Sequence, residues 1–210
     1  MRNGCIALLA AAAVGCGGGG GSTPQTTSTG LKIFVTPELH ASDFANDPEL
    51  VGSTGIQRAD DFCNKSAGKP NASVYKAVLV DGVNRDAPSL TDWVLKPNTT
   101  YYQTHDNIEI DTTTSASIFN AHFTPMLHPI CGAAQCNQDP FVWTGIGNAA
   151  DFSASSDTCG KWGSTTVTGS GPTGGASTST SGSAFDGLTE VCTQQPGAGA
   201  DQLSIYCAEQ

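Results

Sequence analysis

The sequence predicts an α+β domain tied together by disulfides. Two observations carry this prediction. Short β-branched and aromatic runs are spread through long irregular stretches, with helical patterning confined to two short segments near the start. A chain that begins with an export signal also keeps an even set of six cysteines after that signal, which reads as a disulfide framework.

The export signal comes first. Arg2 precedes an apolar run over residues 6–14, too short to span a bilayer as a mature helix. The run ends Ala13-Val14-Gly15-Cys16. Small residues before a cysteine suit a bacterial lipoprotein signal, although leucine is the usual residue where Ala13 stands. The expected organisation is a leader over 1–15, lipid on Cys16, a flexible Gly/Ser/Thr tether over 16–30, and one domain over 31–210. The competing reading is a secreted protein in which Cys16 forms a disulfide. Gly17, rather than aspartate, follows Cys16, which favours the outer membrane or cell surface as the site of anchoring.

The formal charge is −10, and loss of Arg2 with the leader leaves 8 basic against 19 acidic side chains, or −11. Such a field disfavours nucleic acid, heparin-like polyanions and anionic lipid surfaces. With Cys5 removed and Cys16 lipidated, the remaining cysteines are Cys63, Cys131, Cys136, Cys159, Cys192 and Cys207. Six cysteines allow 15 pairings, and spacing alone does not choose among them. Zinc is the weaker alternative, because Cys131 and Cys136 form no C-x-x-C and no paired histidines flank them.

Along the domain, residues 31–36 form a strand ended by Pro37, and 38–53 a polar loop. Residues 55–67 form a helix, with Thr54 and Gln57 as a capping box, Ile56, Ala59, Cys63 and Ala67 on or near one face, and Gly68 as its stop. Asp60 and Asp61 most simply complement its dipole. Residues 74–80 read as a strong strand and 88–95 as a second short helix ended before Pro97. Short strands follow at 100–103, 108–110 and 141–143. Residues 163–187, rich in Gly, Ser and Thr, read as a long loop, and 203–207 as the last strand.

Several words along this chain carry a resemblance. They are the stretch from Gly55-Ile56-Gln57-Arg58 to Phe62-Cys63-Asn64, Tyr75-Lys76-Ala77-Val78-Leu79-Val80-Asp81 with Arg85, Asp92-Trp93-Val94-Leu95 through Tyr101-Tyr102, Val142-Trp143-Thr144-Gly145, and Cys159-Gly160-Lys161-Trp162. In this order they resemble an uncharacterised domain of bacterial lipoproteins, the leptospiral endostatin-like proteins, and more loosely the endostatin domain of collagens. The resemblance covers about 31–210. It implies a C-type-lectin-like, endostatin-like fold with paired terminal strands and a mixed sheet. It also implies bridges Cys63–Cys207 and Cys159–Cys192, leaving Cys131 and Cys136 for a local bridge. Trp143 and Trp162 would then be core residues beside the bridges. The resemblance implies a role similar to that of adhesins, because some leptospiral relatives bind laminin, fibronectin or complement regulators. Two endostatin properties are not carried over. After processing only Arg58 and Arg85 remain as arginines, against the clusters that hold heparin, and the tether lacks the N-terminal histidines that hold zinc. Gln195-Pro196-Gly197 lacks the carboxylate of a calcium-dependent sugar site, and no Trp-Asn-Asp word is present.

Other patterns read as structure. Gly145-Ile146-Gly147-Asn148-Ala149-Ala150 matches a dinucleotide word, but no helix pattern follows it. Residues 169–174 spell G-x-G-x-x-G within the loop. His105, His122 and His128 match no standard zinc spacing. Asn107, Glu109 and Asp111 share a face if 107–111 is a strand, a row that calcium oxygen chemistry would use, or else a wet face opposite Ile108 and Ile110. No G-x-S-x-G elbow or free thiol nucleophile is predicted. The expectation is a non-catalytic binding domain on an envelope lipoprotein, without cofactor or metal. Its partner is a matrix or envelope protein, and it binds through loops 104–140 and 163–187. The alternative is a structural envelope lipoprotein with no diffusible ligand.

Overall fold

The computed structural model describes residues 30–131, 141–163, 170–174, 177–192 and 202–210. Cys16, the leader, the tether up to residue 29, Gln195-Pro196-Gly197 and Cys136, with the expected Cys131–Cys136 bridge, lie outside the described residues.

The domain is mixed α+β. In order, its elements are β1 (Leu31–Val35), α1 (Gly55–Lys65), β2 (Tyr75–Ala77), β3 (Thr100–Gln103), β4 (Glu109–Thr112), β5 (Val142–Trp143), β6 (Ile146–Asn148), β7 (Ser153–Ala154), α2 (Cys159–Trp162), β8 (Ser170–Gly174), α3 (Ser183–Asp186), β9 (Leu188–Val191) and β10 (Ser204–Glu209). The terminal strands pair antiparallel, Ile33 opposite Ala208 and Val35 opposite Tyr206. The main sheet runs β4-β3-β1-β10-β5-β8-β9, with β1·β3 and β10·β5 parallel and the other pairs antiparallel. β10 forks: its first residues pair with β5 and its last with β2.

Both faces of this sheet are covered, so its central strands alternate between two cores rather than between core and water. Ile205 and Cys207 join Phe34, Leu79, Trp143 and α1 on one face, while Tyr206 and Ala208 join Ile33, Val78, Val80, Tyr101 and Phe185 on the other. Continuous apolar runs such as Val78-Leu79-Val80 follow from this arrangement.

Helix α1 starts as expected: the Thr54 hydroxyl accepts from Gln57 N–H at 3.2 Å, and Ile56, Ala59 and Cys63 are buried. The capping box is offset, because Gln57 Oε1 accepts from Ser53 N–H and Ser53 Oγ rather than from Thr54. Gly68 is not the stop. The helix ends at Lys65, Ala67 is exposed, and Gly68 packs beneath Pro37 and Phe34. Asp60 and Asp61 do not serve the dipole. Asp61 pairs with Lys65 and accepts from Val51 N–H, and Asp60 faces β2.

The second expected helix, 88–95, is absent. Asp86 caps a turn by accepting from Ser89 N–H and Oγ, and Leu90 and Asp92 adopt left-handed φ of 55° and 43°. The cause is Arg85, fully buried, whose guanidinium draws in both the carbonyl and the carboxylate of Asp92. The same guanidinium holds Asp60 bidentately at 2.9 and 2.7 Å and donates to Ala77 O at 2.7 Å. Burial works against the Asp92 charge, but hydrogen bonds from Lys76 and Arg85 outweigh it and hold this carboxyl below the usual range.

The loop expected over 163–187 contains β8 and α3 instead. β8 pairs with β5 and β9, and so the G-x-G-x-x-G word lies largely on a strand. The 74–80 strand is shorter in the ladder: only Tyr75–Ala77 pair with β10, while Val78 and Val80 donate singly to Tyr206 O and Thr144 O.

Cys63–Cys207 and Cys159–Cys192 are bridged, with Cα separations of 5.7 and 5.4 Å. The second bridge sits on an unusual turn. Cys159, Gly160, Lys161 and Trp162 all have φ between 53° and 62°, a left-handed turn that costs about 1–2 kcal/mol per non-glycine residue. Three contacts hold it in place: the bridge, the Trp162 indole N–H donating to Val80 O at 3.0 Å, and Gly55, where a Cβ would meet Trp162 O at 2.6 Å.

Arg85→Met removes a buried cation from the half-buried Asp60 carboxylate and is expected to cost about 2–4 kcal/mol in urea unfolding. A loss below 1 kcal/mol would show that Asp60 does not depend on it. Closing 144 residues, the Cys63–Cys207 bridge is expected to contribute about 5 kcal/mol, against about 4 kcal/mol for the 33-residue Cys159–Cys192 closure. Paired Cys→Ala variants, unfolded side by side, measure the order.

Candidate functional site

The two segments expected to bind, 104–140 and 163–187, are brought side by side where they are described. Met126 N–H donates to Thr180 O at 2.8 Å and Cys131 N–H to Ser177 O at 3.0 Å. Gly182 fits because it has no side chain: a Cβ there would lie 3.1 Å from Ala149 and 3.3 Å from His122 Cα. Met126 and Ile130 from the first segment, and Ala184 and Phe185 from the second, are sunk in one core. That burial fixes the pair of loops on the sheet.

Anchoring Met126 and Ile130 turns their neighbours outward. Phe123 is 70% exposed and Leu127 61%. Phe123 sits on a turn in which its own N–H and that of Thr124 both donate to Asn120 O, at 3.0 and 2.9 Å. The exposed His122 ring meets the Phe123 ring edge-on at 4.7 Å. His128 is tied back to β4: its N–H donates to Ile110 O at 3.2 Å, and its Nδ1 lies 2.7 Å from Glu109 O. A carbonyl only accepts, so Nδ1 carries a hydrogen. On the neighbouring loop the hydroxyls of Ser179, Ser181 and Ser183 lie 2.6–3.4 Å from one another. This surface offers the exposed side chains of Phe123 and Leu127, with the His122 imidazole against Phe123.

The Asn107–Glu109–Asp111 row is broken. Asn107 has φ of 55° and takes a hydrogen bond from Lys32, and β4 begins only at Glu109. Ile110 is core, whereas Ile108 is 36% exposed, so the dry face has one member instead of two. His105 pairs with Asp106. The word at Gly145 runs into strand β6, which offers no helix N-terminus to a phosphate. Among the described residues no group of three or more His, Cys, Asp or Glu is arranged to hold a metal ion.

One feature went unread in the sequence. A cleft of about 470 Å³ lies between residues 39–49 and Gln202 and is lined by His40, Asp43, Asp47 and Glu49. His40 stacks on Phe44 at 4.1 Å, its Nε2 lies 2.9 Å from Asp47 Oδ2, and its Nδ1 lies 2.5 Å from Ala41 O. Burial works against the Asp47 charge, but the hydrogen bonds from His40 and from Glu49 N–H hold its carboxyl low. Both ring nitrogens are engaged, so the pair fastens the 38–50 segment. The only trace of it in the sequence is a histidine seven residues before an aspartate, which is no motif.

Hydrogen exchange checks the loop pairing. Slow exchange is expected at the Met126 and Cys131 amides, and fast exchange at His122 and Leu127, whose N–H groups find no partner among the described residues. Equal rates at all four would contradict it.

Among the described residues no helix is long and apolar enough to cross a membrane. No curated protein matches the chain. One family does, over residues 49–179, from the loop before α1 to the serine cluster. The chain belongs to that family, described as protein of unknown function (DUF1554).

Proposed function

We propose that this chain is a lipid-tethered envelope protein that displays a non-catalytic binding domain on the cell surface. Cys16 carries the lipid, residues 17–30 form the tether, and 31–210 form an endostatin-like, C-type-lectin-like domain. The partner is a matrix or envelope protein. The fold reading is supported by the antiparallel pairing of the terminal strands and by the bridges Cys63–Cys207 and Cys159–Cys192. The lipid reading is supported by the leader and by Ala13-Val14-Gly15-Cys16.

The observation that carries the binding role is the exposure of Phe123 and Leu127 on loops whose bases are buried and hydrogen-bonded together. A rigid scaffold presenting apolar side chains at a loop tip is what protein recognition uses, and aromatic anchors there dominate affinity. Binding to immobilised laminin and fibronectin is the test. The wild-type protein should bind at least one of them saturably, and Phe123→Ser with Leu127→Ser should weaken that binding about tenfold or more at unchanged Tm. Saturable binding indifferent to the double substitution would refute this surface. Release of the protein from membranes by Cys16→Ala, and block of its processing by globomycin, are expected of the anchor.

A further inference from the structure

Strand β1 carries a cluster of polar side chains that plays no part at the loop tips. Lys32 stands opposite Tyr102 in the parallel β1·β3 pair. On its other side the register of Ile33 opposite Ala208 brings Glu209 beside it. Opposed residues point to the same face of a sheet, so Lys32, Tyr102 and Glu209 share one face. Glu209 Oε2 accepts from Lys32 N–H at 3.0 Å, and Glu209 Oε1 accepts from Asn71 at 3.2 Å. The Lys32 amine lies 5.2 Å from the centre of the Tyr102 ring. It donates to the side-chain carbonyl of Asn107, on the turn that joins β3 to β4. Lys32, Tyr102, Asn107 and Glu209 are all half-buried. Desolvation holds the Lys32 amine below the ordinary lysine range, and the Glu209 charge offsets this only in part.

We infer that Lys32 and Asn107 join in an intramolecular isopeptide cross-link, with Glu209 carrying the proton. Lys32 Nζ, as the neutral amine, bonds to Asn107 Cγ, and the Cγ–Nδ2 bond of Asn107 breaks. Glu209 takes one proton from Nζ and returns it to Nδ2, which leaves as ammonia. One amide replaces another, so the step consumes no oxidant, reductant or co-reactant. A free amine and a carboxamide scarcely react in water, but holding the two together is worth an effective molarity of about 10⁵–10⁸ M. A lysine amine with a lowered pKa is the better nucleophile of its kind. Glu209 is the carboxylate whose charge acts on that amine, and a positioned acid–base group adds about 10²–10⁴ in rate. The cross-link ties β1 to the β3–β4 turn across 75 residues of chain. A pull entering the domain from the proposed tether meets this bond at the second residue of β1, before it can peel that strand from β3 and β10.

Mass spectrometry of the purified full chain, with its disulfides reduced, is the test. The wild-type chain should be lighter by one ammonia than its composition requires. Proteolysis should then release a branched peptide joining the stretch around Lys32 to the stretch around Asn107. Lys32→Arg keeps the cation but supplies no amine nucleophile, and should show the full mass of its own composition and a lower Tm. Glu209→Gln should slow the linkage about a hundredfold or more, so that fresh protein is largely unlinked. Far-UV circular dichroism on both variants separates lost chemistry from lost fold, and the wild-type mass decides the question without either. A wild-type chain still at full mass after days at about pH 8, where more of the amine is neutral, overturns the inference. So does a mass deficit that persists in Lys32→Arg, or a branch between any other two residues. Complete linkage in Glu209→Gln overturns the role given to Glu209. Binding to laminin and fibronectin is measured on a different surface, so an unlinked wild-type chain that still binds them refutes this inference and leaves the proposed function standing.

Discussion

The structure hangs on how the outer edge of β2 is closed. A three-residue strand has too little ladder to hold itself, and its far edge would expose backbone groups to a neighbouring chain. Here side chains stand in for the missing strand. Asn64 accepts from Tyr75 N–H at 3.0 Å and donates to Tyr75 O at 2.7 Å, as a neighbouring backbone would. Two residues on, Asp60 accepts from Ala77 N–H at 2.8 Å and Arg85 donates to Ala77 O at 2.7 Å. Asp60 and Asn64 are one helical turn apart on α1, so this arrangement also fixes the height and rotation of the helix on the sheet. Cys63 is then presented to Cys207, which lies opposite Ala77 on the other side of β2. The ion pair and the bridge therefore support each other: one sets the register that the other locks.

This dependence explains which parts of the fold were legible. Helix α1 is read from the spacing of Ile56, Ala59 and Cys63 because its buried face obeys a local period. The stretch 88–95 has a helical look, but Asp92 is claimed by a guanidinium on a preceding turn, and no local pattern reports a partner of that kind. β8 was hidden for a different reason. Ser170-Gly171-Pro172-Thr173-Gly174 has the composition of a loop and becomes a strand only because β5 and β9 flank it. The left-handed turn at Cys159 left no sign beyond Gly160, since three of its four residues ordinarily avoid that conformation.

The candidate site was legible in part for the same reason. Both loops stand out in composition, but their meeting rests on two backbone hydrogen bonds spanning 54 and 46 residues, from Met126 to Thr180 and from Cys131 to Ser177. Nothing in either segment names the other. The fastening of the 38–50 segment by His40 and Asp47 was invisible, because a stacked and doubly engaged imidazole looks like any other histidine in a polar loop.

The words that carry the resemblance meet in the packing around Trp162. Gly145 has φ of 73°, and a Cβ there would meet Val80 O at 2.2 Å and Trp162 Cζ2 at 2.8 Å. Val80 O is the acceptor of the Trp162 indole, Val80 N–H donates to Thr144 O, and Gly55 lies against Trp162 from the other side. Trp143 stacks edge-on with Trp162 at 6.0 Å. Four separate words of the sequence thus converge on one buried tryptophan, and Gly55, Val80, Gly145 and Trp162 each have a steric or hydrogen-bonding reason to be there. The packing around Trp162 makes no demand on the exposed side chains of Phe123 and Leu127.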